Sequence, residues 1–185
     1  MIHLINIGTR QIYTNRCVLR RFEISDSLAV FNSYMCDKKI SRYLLNKEHN
    51  SIYETELLIR EFIKNYNNIY YYNWIIIDKL NFNVIGTLSL HEVDVQNDKV
   101  EIGIIISNLY QNKGYAKETI NEVISLAFNI LKVKRIEAKI MKGNVQSVNL
   151  FKSLGFKEEG VLLSAIKKNN KYYDIYLFSL LNINI

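Results

Sequence analysis

Residues 99–131 limit the fold more than any other stretch. Lys99-Val100-Glu101-Ile102-Gly103-Ile104-Ile105-Ile106 reads as a strand, and a short connection leads to Gln111-Asn112-Lys113-Gly114-Tyr115-Ala116, which opens a long helix. That helix buries a stripe of Ala116, Ile120, Val123, Ala127 and either Ile130 or Leu131. A Gln-x-x-Gly-x-Ala junction between strand and helix suits an anion. The first helical turn leaves N–H groups without partners, and the helix dipole adds partial positive charge. Gly114 lets the backbone approach a diphosphate, Ala116 keeps the next turn clear, and Lys113 supplies a point charge. The Gly-Lys-Ser/Thr ending of a nucleoside-triphosphate loop is absent, as is the three-glycine spacing of a dinucleotide fingerprint. A glycine ahead of a helix is also an ordinary terminator, so the motif needs support from elsewhere.

The rest of the chain alternates strands and helices. A strand is expected over 12–20. Ser25 or Asp26 then caps a helix bearing Leu28, Phe31 and Met35. Ser51 and Glu54 match a capping box before a helix whose face carries Leu58, Phe62 and Tyr66. Strands over 71–78 and 84–91 form a hairpin turning at Leu80-Asn81-Phe82-Asn83. After the long helix come a strand at 134–141, a helix at 145–154, and strands at 156–162 and 172–181. The expected class is α/β, a mixed sheet with helices packed on its faces. With no linker or repeat, residues 1–185 read as a single domain.

Composition narrows the function. Hydrophobic residues make up 49% and charged residues 23%, which is globular, and no apolar run is long enough to span a bilayer. Met1-Ile2-His3-Leu4 has no export-signal pattern, so a cytoplasmic location is expected, with Cys17 and Cys36 reduced and buried. The net charge of +6 comes from scattered residues, which reads as a solvated surface rather than a nucleic-acid face. The spacing of His3, His49 and His91 matches no metal site, and none of the three is given a role.

A second motif runs from Asn144 to Phe156: Asn-Val-Gln-Ser-Val-Asn-Leu-Phe-Lys-Ser-Leu-Gly-Phe. Asn144 is placed to cap a helix and Gly155 to end it, with Val148, Phe151 and Leu154 facing the core. Those structural roles leave Asn144, Ser147 and Asn149, all near the helix start, unexplained together. The two motifs, in this order and context, resemble the GNAT family, the Gcn-five-related N-acetyltransferases, and within it the RimJ/RimL-like branch. The opening Thr14 to Phe22 and the closing Lys171-Tyr172-Tyr173-Asp174 resemble that branch as well.

The resemblance implies a central, mostly antiparallel twisted sheet flanked by helices, whose splayed strands hold acetyl-CoA. Carried over, it sets Ile104, Ile105 and Ile106 beside the pantetheine arm. It gives Gln111, Asn112, Lys113, Gly114, Tyr115 and Ala116 to the diphosphate, and Asn144 and Asn149 to the cofactor's other side. It also implies direct attack of a primary amine on the thioester, without a cysteine nucleophile or a metal. Such chemistry needs a base for the amine, a donor for the oxyanion and an acid for the thiolate. Glu101 is the candidate base, directly or through water, and an exposed or salt-bridged strand carboxylate is the structural alternative. A backbone N–H near Ile105 is the candidate oxyanion donor.

The Tyr that many members use as acid is here Phe151, which has no proton to give. Ser147 matches the Ser that takes this part in the RimL-like branch, and it equally suits a structural helix-start Ser. Tyr173 is a weaker substitute, and Asp174 orients either the substrate or the closing strand. The acceptor is a protein N-terminus or a small-molecule amine. The basic total argues against a polycation, while Glu92, Asp94 and Glu101 have the charge to make the cleft itself acidic. A homodimer stays open. The alternative function is a non-catalytic CoA-binding or ribosome-associated module.

Overall fold

The computed structural model describes residues 7–45 and 47–184. His3 and the Met1 to Leu4 stretch lie outside them. The expected strand over 12–20 is instead a tight hairpin, β1 (Ile12–Tyr13) and β2 (Cys17–Arg20). Thr14 makes the corner: its hydroxyl accepts the Cys17 N–H at 2.8 Å, and its own N–H bonds the Cys17 carbonyl.

A 3-10 turn (Ile24–Asp26) leads into α1 (Ser27–Val30), which widens into a π turn over Phe31–Met35. The buried phase is Ser27, Val30 and Tyr34, one position ahead of the expected Leu28, Phe31 and Met35, so Leu28 is exposed. Next are α2 (Lys38–Ser41) and α3 (Ile52–Asn65). Ser51 occupies the cap position of α3, but Glu54 takes the Asn50 N–H at 3.2 Å, so the expected capping box does not close.

Strands β3 (Tyr72–Asp78), β4 (Val84–Asp94) and β5 (Lys99–Ile106) form an antiparallel meander. The first turn falls where expected, held by the Asp78 carboxylate on the Leu80 N–H at 2.8 Å. Then come α4 (Tyr115–Ser125), β6 (Arg135–Met141), α5 (Val145–Ser153), β7 (Lys157–Lys168) and β8 (Lys171–Leu181). Helix α4 ends in a π turn over Leu126–Ile130 that exposes Ile130 and buries Leu131. Strand β7 runs six residues past its expected end at 162 and projects, largely exposed, with β8 as a long hairpin.

The eight strands form one sheet in the order β1-β2-β3-β4-β5-β6-β8-β7. Among the described residues only β5 and β6 pair in parallel. Alternation along β3 sends Trp74 and Ile76 into one core with α4 and α5, and Ile75 and Ile77 into the opposite core with α1 and α3. Among the described residues no helix is long and apolar enough to cross a membrane. Both cysteines are free; Cys17 is buried as expected, whereas Cys36 is exposed.

Candidate active site

The central feature is a seam that opens. Strand β5 pairs with β6 only at Lys99↔Arg135, Val100↔Ile136 and Glu101↔Glu137, after which the strands diverge. On its other edge β5 stays paired with β4 as far as Ile106. The Ser107 N–H bonds the Ile85 carbonyl at 2.8 Å. Antiparallel alternation from that bond gives the Ile105 N–H and carbonyl to β4 and leaves those of Ile104 and Ile106 on the open side. The free donor is therefore that of Ile104 rather than Ile105. The side-chain amide of Gln111 donates to the Ile106 carbonyl at 3.0 Å, joining the open edge to the loop beyond it.

Gly86, which the sequence did not single out, makes this edge possible. A Cβ at that position would lie 2.0 Å from the Ile105 carbonyl oxygen. Nothing larger than hydrogen fits.

The loop from Gln111 to Ala116 bends through positive φ at Asn112 (59°) and Gly114 (83°), so that α4 starts abruptly at Tyr115. The first main-chain bond of the helix runs from the Glu118 N–H to the Gly114 carbonyl, so the N–H groups of Tyr115, Ala116 and Lys117 precede the helical ladder. The Tyr115 hydroxyl donates to Asp78 at 2.9 Å. The Arg16 guanidinium stacks 4.1 Å above the Tyr115 ring, pairs with Glu118 at 2.7 Å, and bonds the Lys113 carbonyl at 2.9 Å. Arg16 thus adds a second cation beside Lys113. The sequence motif did not place it there, because its loop lies about a hundred residues away.

On the far side of the seam Asn144 caps α5, its carbonyl oxygen accepting the Ser147 N–H at 3.2 Å. Asn144, Ser147 and Phe151 share one face of α5 and line a cavity of about 1050 Å³. Asn149 is exposed on another face and does not line it. Phe151 packs edge-on against Phe156 at 5.0 Å, as a core ring.

Glu101 sits at the apex of the seam and is only 9% exposed. Its carboxylate receives Lys139 from β6 at 2.7 Å and His91 from β4 at 3.1 Å. Burial pushes the carboxyl upward, but the hydrogen bonds from His91 and Lys139 outweigh it and hold the group below the usual glutamate range. Glu101 is therefore ion-paired, as the structural alternative expected, and it also lines the cavity. His91, given no role from the sequence, is its cross-strand partner. His49 bonds Thr55 at 2.8 Å, away from this site.

Two weaker candidates fall elsewhere. Tyr173 does not line the cavity. Asp174 accepts the Ser164 N–H at 3.0 Å and Lys142 at 3.1 Å, which fastens the last hairpin.

The geometry fits acetyl-CoA in two places. A Cβ at Gly114 would fill the cradle ahead of α4, 3.3 Å from Arg16, and the open edge of β5 offers unpaired main-chain groups to an amide-bearing arm. Comparison with known proteins points the same way. The acetyltransferase (GNAT) domain family matches residues 16–157. An uncharacterized N-acetyltransferase, p20, of Bacillus licheniformis is 31% identical, with 92% of this chain and 95% of that protein covered. Spermidine N-acetyltransferase from Vibrio cholerae, solved in complex with CoA and spermine, superposes with a TM-score of 0.76 at 28% identity, covering 90% of this chain and 95% of that one. The ribosomal-protein-S5-alanine acetyltransferase from Vibrio fischeri shares the fold, with a TM-score of 0.82 at 20% identity over 95% and 98% of the two chains.

Proposed function

The chain belongs to the GNAT acetyltransferase family and is an acetyl-CoA-dependent enzyme that acetylates an amine; from that premise we propose that transfer is direct and takes place at the apex of the β5–β6 seam. The observation that carries this reading is the three-pair limit of the parallel ladder, which frees the edge of β5 next to a largely apolar cavity with Glu101, His91 and Lys139 at one end. In this reading the N-terminus of α4, with Lys113 and Arg16, holds the diphosphate. The main-chain groups of Ile104 and the N–H of Ile106 hold the pantetheine arm, and Asn144 closes on it from α5. Acetyl-CoA supplies an activated acyl group whose thiolate leaves readily.

The residues of the chain do the rest. The incoming amine must shed a proton, and Glu101 takes it through water, because Lys139 and His91 occupy its carboxylate directly. An ionised carboxylate held below its usual range is a weak base, and it serves as the acceptor of a relay rather than as the sole base. The Ile104 N–H, aimed into the open side, steadies the charge that grows on the acyl oxygen. The Ser147 hydroxyl lines the cavity on the opposite wall and is the proton donor to the departing sulfur.

Calorimetric titration with acetyl-CoA, followed by thiol release on adding amines, tests this. Saturable binding and amine-dependent release are expected. The Glu101→Gln variant should keep the binding and lose most of the release; equal release from that variant would remove Glu101 from the mechanism.

A further inference from the structure

The acceptor end of the cavity has a definite electrical balance. The carboxylates that line it, among the described residues, are Glu92 and Glu101, and its lysines are Lys47 and Lys139. Two negative and two positive groups leave no net charge. Glu101 is already shared by Lys139 and His91, and Glu92 is exposed at the rim. Asp94, which the sequence offered as a third acid, lies off the cavity and bonds Asn97 at 3.0 and 2.8 Å. Burial pushes the Tyr34, Tyr71 and Tyr72 phenols upward, so these three hydroxyls add no negative charge.

The wall facing the sheet is apolar: Met35, Leu44, Leu58 and Phe62, backed across the mouth by Leu162 and Ile166. A strap over this end is fastened at both sides. Lys168 donates to the Ser41 and Leu44 carbonyls, and Tyr43 donates to the Gly143 carbonyl at 3.0 Å.

A polyamine brings two or more ammonium groups into such a site. Each one removed from water needs a carboxylate or several acceptors, and an unmatched buried cation is costly. Only one ammonium has an acidic counterpart inside, at Glu101; beyond it the helical wall is hydrocarbon, and the polar groups of the sheet floor, Asn73, Thr87 and Ser89, are neutral. Resting on the direct-transfer reading above, we infer that the acceptor is a single-amine compound with an aliphatic or aromatic body, and that polyamines are disfavoured. The amine would enter at Glu101 and its body would lie along Met35, Leu58 and Phe62.

The test is a steady-state comparison of phenethylamine, a tripeptide beginning with leucine, and spermidine, each with acetyl-CoA as donor. The expected result is a kcat/KM for phenethylamine or the tripeptide about tenfold or more above that for spermidine, the scale of one unmatched ammonium. The better of the first two identifies the source as a free amine or a peptide end. Spermidine turned over as well as or better than both would overturn the inference and leave the transferase intact. Tight acetyl-CoA binding with no amine acetylated would overturn the direct-transfer reading, and this inference with it. Lys47→Glu gives the site an extra acid and should raise the spermidine-to-phenethylamine ratio of kcat/KM severalfold; an unchanged ratio would overturn the charge argument.

Discussion

The two ends of the cleft are built from different materials. The cofactor end is mostly backbone: the open edge of β5, a loop bent through positive φ, and the first turn of α4. Its side chains, Arg16, Tyr115 and Gln111, mainly hold that backbone in place. The acceptor end is a collection of side chains drawn from the π turn after α1, from α2 and α3, from the last hairpin and from the strands that face them. A backbone-built site tolerates change in its side chains and fails at its glycines. A site built from side chains can be retuned one residue at a time.

The sharpest way to break this division is Gly114→Val. A β-branched residue at φ 83° is strained and crowds Arg16, and about 1–3 kcal/mol of strain with loss of the close approach should weaken acetyl-CoA binding about a hundredfold. The acceptor KM at saturating cofactor should hold. A normal Kd for acetyl-CoA, measured by calorimetry, would show that the cradle lies elsewhere.

Glu101→Gln tests the opposite end. Turnover should fall about thirtyfold, within the range of a proton-transfer residue, while acetyl-CoA affinity stays within about twofold. If affinity falls in step with turnover, the two ends are not separable. Gly86→Ala lies under both, because its Cβ would displace the Ile105 carbonyl. It should cost about tenfold in kcat and lower Tm by several degrees, since a backbone donor shifted by a fraction of an ångström loses its alignment. An unchanged kcat would mean that the edge of β5 takes no part in transfer.

Tyr115→Phe removes the bond to Asp78 and should weaken acetyl-CoA binding about three- to fivefold, the scale of one hydrogen bond. Catalysis at saturating cofactor should be untouched, and a loss of kcat there would join the two ends. The smallest effect is in stability. The Glu101 carboxyl lies below its usual range in the folded protein. Its stabilisation is therefore present above its unfolded value and is lost as pH falls through the lower folded value. The Tm difference between the wild type and Glu101→Gln should shrink below about pH 4; a difference that grows there would reverse the assignment.

What was legible in the sequence follows the same line. β5 appears at its expected boundaries, and α4 starts where Gly114 says it must, because strand periodicity and a left-handed glycine are local signals. The expected single strand over 12–20 breaks at a Thr14 corner that leaves almost no compositional trace, and the phase of α1 differs because Leu28, Val30, Phe31, Tyr34 and Met35 offer two overlapping apolar faces. The partners of Glu101 were missed for a different reason. His91 stands opposite it only once the β4–β5 register is fixed, and an irregularity between His91 and Asp94 blurs the count from the turn. Lys139 comes from a parallel neighbour, whose register no hairpin sets. Arg16 reaches the loop through tertiary contact alone.

The short parallel ladder has a mechanical consequence. Five strands lie on one side of it and three on the other, and in hydrogen-bonding terms the two plates are spliced over three residue pairs. A cofactor seated along the open edge and reaching α5 would touch both plates and act as the missing splice. Ligand occupancy should then slow amide exchange at Ile104, Ile106 and the start of α5 more than in the β2–β4 meander. A protein arranged this way stiffens when it is loaded and loosens as soon as its product leaves.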